Sequence, residues 1–253
     1  MGEFLARHMH FLFLSFKGFY PGYRRPIVIV MSRFVPLTVA LFFFVTLARL
    51  TGDETRVAFL ATGISTLAVL SSCLGSGSGM IFYERYFRTI PSLAVAPRSL
   101  FYALSMRSLI GCLEGVLNGL LGFGVSYWIW GITPGVSWGE LVFGLLLLAL
   151  SLWGLGTTLG SIFLCGMSPD LLIPITTFLV GLVSDVYIPS SALPLPLSLL
   201  GRIFPVVHGV QFVRDGDMSS LGMMVGTGML WFTLGFISCG MAARILRRKG
   251  FAP

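Results

Sequence analysis

Three stretches of this chain carry no charge at all: Val57 to Tyr83, Leu141 to Met167 and Leu221 to Ala243. Each is longer than the ~20 apolar residues with which a helix crosses a bilayer. Such runs predict a polytopic membrane protein. Only helices and closed barrels satisfy every backbone polar group in hydrocarbon, and runs of this length without alternation read as helices, so the predicted class is all-α. The composition agrees: 55% of residues are hydrophobic and 11% charged, against roughly 25% charged in a soluble domain. The formal charge of +7 does not point to nucleic acid, because the basic residues flank the apolar segments and leave no surface for a groove.

Breakers and charges divide the chain. Residues 1–20 mix Phe, Leu and His with Arg7 and Lys17, too short and polar to span, and read as a cytoplasmic interfacial helix ended by Pro21-Gly22. One transmembrane domain follows over 27–245, with six spans expected at about 27–48, 57–83, 107–130, 141–165, 171–187 and 220–243, and a basic tail over 246–253. Arg33 lies near the start of the first span, placed to snorkel. In the third, Gly111, Gly115 and Gly119 recur every fourth residue, the small-residue spacing of closely packed membrane helices. Trp128 and Trp130 fall at its far end, as belt residues do. Gly75, Gly77 and Gly79 either let a neighbour approach the second span or kink it. Residues 188–213 are apolar but broken by Pro189, Pro194, Pro196 and Pro205. They read as two short helices dipping into the outer leaflet, where irregular backbone must be shielded by protein or water. With six spans both ends share a side. That side holds thirteen of the Lys and Arg residues, and the other holds Arg49, Arg56, Arg202 and Arg214, which places both termini in the cytoplasm.

Chemistry-bearing residues are few. The histidines are His8, His10 and His208; there is no HExxH, no GxSxG and no clustered ligand spacing among Cys73, Cys112, Cys165 and Cys239. No catalytic, cofactor-binding or metal residues are assigned, and the chain is not expected to be an enzyme. Glu114 lies inside an apolar helix, where a carboxylate is costly unless paired, protonated or wet. Two roles are open to it: lining a substrate path, or pairing with a neighbouring helix. Asp170 precedes a helix as an N-terminal acid. Asp185 caps or meets water, and Arg202 and Arg214 mark where the broken segment returns to water, contact with an anionic headgroup remaining open. The loop at 84–100 carries Glu84, Arg85, Arg88 and Arg98, with Pro91 and Pro97 bracketing Ser92 to Ala96. It is either a plain positive-inside loop or a short rigid helix on which a cytoplasmic motor acts.

The order of these elements, the loop YERYFRTIPSLAVAPRSLFYAL and the stretch SDVYIPSSALPLPLSLLGRIFPVVHGVQFVRD resemble the permease subunits of ABC-2 type exporters, the class that includes drug-resistance, nodulation-factor and polysaccharide export permeases. Glu84-Arg85, Leu93 and Ala96-Pro97 carry the first likeness; Pro189, Leu193-Pro194, Pro205, His208 and Arg214 carry the second. The resemblance implies a multi-pass protein of a bacterial plasma or inner membrane, paired with a second permease, the same chain or a homologue. It implies two ATP-binding subunits that supply ATP and magnesium, since this chain has no GxxxxGK[ST]. Glu84, Arg85, Arg88, Pro91, Leu93, Val95, Pro97 and Arg98 would couple to them, and the N-terminal helix would pack on them. Residues 188–213 would close the outer gate, with Pro189, Pro194, Arg202, Pro205, His208 and Arg214 as its marked residues. The substrate would be amphipathic or hydrophobic: drug-like, a lipid or a lipo-oligosaccharide. Ser184-Asp185-Val186-Tyr187 departs from the usual Ser-Gly-hydrophobic run, and His208 is closer to the polysaccharide branch, so the substrate class stays open. The alternatives are an ion-coupled secondary transporter or channel, and a membrane scaffold.

Overall fold

The computed structural model describes residue 27 and residues 30–78, 100–165 and 167–249. The interfacial helix expected over 1–20 and all eight coupling residues from Glu84 to Arg98 lie outside the described residues.

Every regular element among the described residues is helical. A π-helical turn, Val30–Phe34, leads into α1 (Val35–Leu50). α2 (Glu54–Ser72) runs on into a second π-helical turn, Cys73–Ser78. α3 is Leu100–Trp130, α4 Trp138–Leu164 and α5 Pro169–Val183. A 3-10 turn, Ser190–Ala192, precedes two short helices, α6 (Leu195–Gly201) and α7 (Pro205–Asp215), and α8 (Met218–Lys249) closes the fold.

Helix starts follow from capping chemistry. Asp53 accepts hydrogen bonds from the Thr55 and Arg56 amides at 3.0 and 3.2 Å, which satisfies two amides the first turn of α2 leaves without helical partners. Ser137 and Glu140 form a reciprocal capping box at the start of α4. Asp217 accepts from the Ser219 amide at 3.0 Å at the start of α8. Gly216, at φ +69°, ends α7 in the left-handed conformation that glycine adopts without a Cβ penalty.

Among the described residues four helices are long and apolar enough to cross a membrane: Glu54–Gly75, Phe101–Trp130, Trp138–Leu164 and Met218–Ile245. α6 and α7, bent by 88° at their junction, make a fifth if counted as one broken span. The expected count of six is not reached by these elements. α1 and α5 have 16 and 15 residues, about 24 and 22 Å of helix, short of the ~30 Å hydrocarbon core. Pro36 stands in the first turn of α1, directly after the π-helical turn, where its ring and missing amide interrupt the α-helical ladder. α5 stops because Asp185 turns into the left-handed region, at φ +62°.

Two boundaries extend beyond the expected ones. α3 begins at Leu100, so Arg107 is not at the mouth of a span but about 10 Å inside the helix, and only 7% exposed. α8 runs through the basic residues to Lys249. Arg and Lys are good helix formers; they mark where a helix leaves hydrocarbon, not where it ends.

α2 is the central helix. Of its apolar window 83% is buried, against 22% for α8, whose Met229, Phe236 and Met241 face outward. In lipid, helices associate through packing and hydrogen bonds more than through the hydrophobic effect. Small residues supply the packing. A Cβ on Gly115 would come 2.8 Å from the Val69 carbonyl, and one on Gly122 2.9 Å from Ser65 Oγ, so α3 lies backbone-close on α2. Gly154 plays the same part between α4 and α8, where a Cβ would overlap Phe232. Indole N–H groups add polar links: Trp153 Nε1 donates to the Ser105 carbonyl at 2.6 Å, tying α4 to α3.

Candidate functional site

The most constructed polar site lies where α7 ends against α2 and the segment after α5. Each group here is positioned by a local feature. Pro205 starts α7, buried, and Val206 to Val213 are buried around it except for Gln211. An 11-residue helix so enclosed carries the side chain of its penultimate residue, Arg214, into the bundle and not out to water. The Arg214 side chain is 13% exposed. This corrects the expectation that Arg214 marks a return to water.

Arg214 uses all three guanidinium nitrogens. Nη1 donates to the Asp185 carbonyl at 2.7 Å and stands 3.4 Å from its Oδ2. Nη2 donates to the Phe59 carbonyl at 2.7 Å, and Nε donates to Thr62 Oγ1 at 3.1 Å. The guanidinium carbon sits 3.7 Å from the centre of the Phe59 ring, a cation–π stack. Only arginine has a planar fork able to reach these directions together. Asp185 completes the knot: its Oδ1 accepts from the Ser190 amide at 2.6 Å, which folds the post-α5 segment back on itself. Aspartate is among the few residues other than glycine that visit the left-handed region readily. Gly63 makes room, since a Cβ there would come 2.8 Å from the Val186 carbonyl and 2.9 Å from Arg214 Nη2. Gly135, in the α3–α4 loop, donates its amide to the Val213 carbonyl at 3.0 Å, and a Cβ on it would overlap the Arg214 carbonyl oxygen. Three chain segments thus meet at one guanidinium, and a fourth, the α3–α4 loop, seats on the backbone that carries it.

The other end of the hairpin is held differently. His208 is 4% exposed, and its Nε2 donates to the Arg202 carbonyl at 3.1 Å, bridging α7 to the end of α6. Trp231 Nε1 donates to the Ile203 carbonyl at 2.9 Å, and its ring stacks on Phe204 with centroids 5.5 Å apart. Trp231 lies thirteen residues beyond Met218, about 20 Å along α8. The α6–α7 corner therefore sits deep beside α8, while Arg214 sits near the α8 start. α6 itself leaves Leu195, Leu197, Leu199 and Leu200 exposed.

The marked residues divide as follows. Pro189 and Pro194, both exposed, cap the 3-10 turn and α6; Pro205 opens α7; Arg202 is exposed and acts through its carbonyl. His208 and Arg214 belong to the hairpin's two anchor points. Glu114 is half-buried on α3, apart from the hairpin, one turn before Asn118, which donates to Ser72 Oγ at 2.6 Å. Phe59, Thr62, Gly63 and Ser190 were not singled out from sequence. Their part is played mostly by backbone atoms, which side-chain identity does not advertise. No group of three or more His, Cys, Asp or Glu residues able to hold a metal occurs among the described residues.

The fold and this site define a polytopic, all-α membrane protein with a bent helical pair docked into its bundle, a shape consistent with a transport-related role. Comparison with protein-family models and with curated proteins finds no match to this chain.

Proposed function

We infer that this chain is the transmembrane permease subunit of an ABC exporter, moving an amphipathic or hydrophobic substrate outward with energy from ATP hydrolysis in a separate subunit. The observation that carries the reading is the α6–α7 pair, bent by 88° just before the last span and tied to α2 through Arg214. A bent helical insertion before the final span is where the resemblance places the outer gate, and this one is clamped to the central helix.

In this reading the chain has six spans. The π-helical turn from Val30 extends α1 to 21 continuous residues, about 31 Å, and α5 with Ser184 to Tyr187 forms the short fifth crossing. α6 and α7 re-enter from outside. Two copies, or this chain and a homologue, pair with two ATP-binding subunits in a bacterial plasma membrane. Closure of the ATP sites pushes the loop at 84–100, with Leu93 and Val95 seated in the partner. α2 carries the motion to its outer end, where Phe59 and Thr62 hold the hairpin through Arg214.

The test is purification of the tagged chain from its native membrane. A stoichiometric subunit bearing a phosphate-binding loop and hydrolysing ATP supports the reading. A chain that purifies alone and moves substrate down an ion gradient replaces it with the secondary-transporter alternative.

A further inference from the structure

A cavity of about 230 Å³ opens between α1, α2, α3 and α5, beside Tyr187. Its wall is graded. Along α2 the lining runs from Ile64 to Ser72, about 12 Å. Ile64, Leu67 and Ala68 lie nearer the Asp53 end; Ser71 and Ser72 lie at the other, joined there by Asn118 of α3 and Thr177 of α5. One of these groups is unfinished. Asn118, 7% exposed, gives an amide hydrogen to Ser72 at 2.6 Å, whereas Thr177 Oγ1 is buried with no partner. Buried polar atoms without partners are uncommon and call for an explanation such as a ligand. The wall also breaks helical regularity at this point, because α2 turns π-helical at Cys73, directly after Ser72. Such turns occur often at functional sites.

We propose that this cavity binds the uncharged, hydrogen-bonding head of an amphiphile from the cytoplasmic leaflet, with its chain directed toward the membrane centre. With the Asp53 loop outside, as the basic residues orient the chain, the Ser71–Ser72–Asn118–Thr177 end faces the cytoplasmic side. That is the side on which a lipid of the inner leaflet carries its head. Among the described residues no Asp, Glu, Lys or Arg lines the cavity, so this wall offers an ionised head no counter-charge for its desolvation. A hydroxyl or amide head fits instead, hydrogen-bonding to the Thr177 hydroxyl. The volume is below the ~300 Å³ of the smallest drug-sized pockets, so it houses a head and the first part of a chain, not a whole molecule. This rests on the exporter reading for its meaning as a substrate site, but binding itself needs no ATPase.

The test uses the purified full chain in proteoliposomes with two photoactivatable probes, a diacylglycerol with its hydroxyl head and a phosphatidic acid of the same chains. Mass spectrometry locates the adducts. The proposal expects the diacylglycerol to label α2 and α3 residues of the wall, at least tenfold above the phosphatidic acid. Ala40→Leu, which fills the cavity without touching a polar group, abolishes the labelling. Thr177→Val, which removes a hydroxyl without a partner in the protein, lowers it about fivefold, the loss of one hydrogen bond. Equal labelling by both probes, or labelling of the wall unchanged by Ala40→Leu, overturns the proposal. Wall labelling in a chain whose transport ignores ATP leaves this site standing and removes the exporter reading. ATP-driven transport without wall labelling does the reverse.

Discussion

Arg214 and Asp185, 29 residues apart, are joined twice, once through the Asp185 backbone carbonyl at 2.7 Å and once through its carboxylate at 3.4 Å. The backbone link is the shorter. The pair is as much a clamp on the course of the chain as a meeting of charges.

Arg214→Ala leaves the Phe59 carbonyl, Thr62 hydroxyl and Asp185 carboxylate without their donor. Removing one partner of an enclosed pair costs about 3 kcal/mol or more. Asp185→Asn keeps the carbonyl link and an acceptor for Ser190, and costs about 1 kcal/mol. Thermal unfolding in detergent should rank wild type above Asp185→Asn above Arg214→Ala, with Arg214→Lys close to the alanine variant because an ammonium cannot serve three directions.

The left-handed backbone at Asp185 makes a second ranking. Asp185→Ala loses the carboxylate and keeps the strain, which is about 1 kcal/mol for a residue with a Cβ. Asp185→Gly loses the carboxylate but relaxes the strain. The glycine variant should melt above the alanine one.

Glycine at 135 is required by contact. Gly135→Ala drives a methyl group into the Arg214 carbonyl and should destabilise by roughly 1–3 kcal/mol. Gly139→Ala, in the first turn of α4 with open space around it, should stay within about 0.5 kcal/mol of wild type. Equal melting of the two would mean that the α3–α4 loop is not seated on the hairpin.

The α2 and α8 starts respond to acid. The Asp53 carboxyl is held below the ordinary 3.8 by the Thr55 hydroxyl and the Arg56 amide, and that of Asp217 by the Ser219 hydroxyl and amide. A depressed carboxyl stabilises the fold above its unfolded value and loses that contribution as pH falls through its folded one. Between pH 5 and 8 these caps are constant; below 3.8 they weaken. Amide exchange at Thr55 and Ser219, corrected for intrinsic rates, should be unchanged from pH 7 to 5 and faster at pH 3. Asp217→Asn should flatten the response at Ser219 alone.

Much of this architecture was legible from local pattern. The long helices follow from uncharged runs, and the close approach of α3 to α2 from the spacing of Gly115 and Gly119, because both signals lie within one segment. Span limits were less legible. Arg107 reads from sequence as the mouth of a span because charge marks the edge of hydrocarbon, whereas helical hydrogen bonding continues through it from Leu100. The partners of Arg214 were hidden for a different reason. Phe59 takes part through its carbonyl, 155 residues away, and nothing in Ser184-Asp185-Val186 announces a left-handed turn. Asn118 and Ser72, 46 residues apart, were invisible for the same reason: two ordinary polar residues become a site only when α2 and α3 pack.

The energy source of transport separates an ABC permease from an ion-coupled carrier most directly. Inverted membrane vesicles holding the full complex would be loaded with a fluorescent diacylglycerol, and its transfer to the far leaflet followed with ATP, with a non-hydrolysable analogue, and with a protonophore. An ABC permease predicts transfer that needs hydrolysable ATP, survives the protonophore and is lost in Leu93→Asp more completely than in Arg98→Ala. Transfer that continues without nucleotide and collapses with the ion gradient would contradict it.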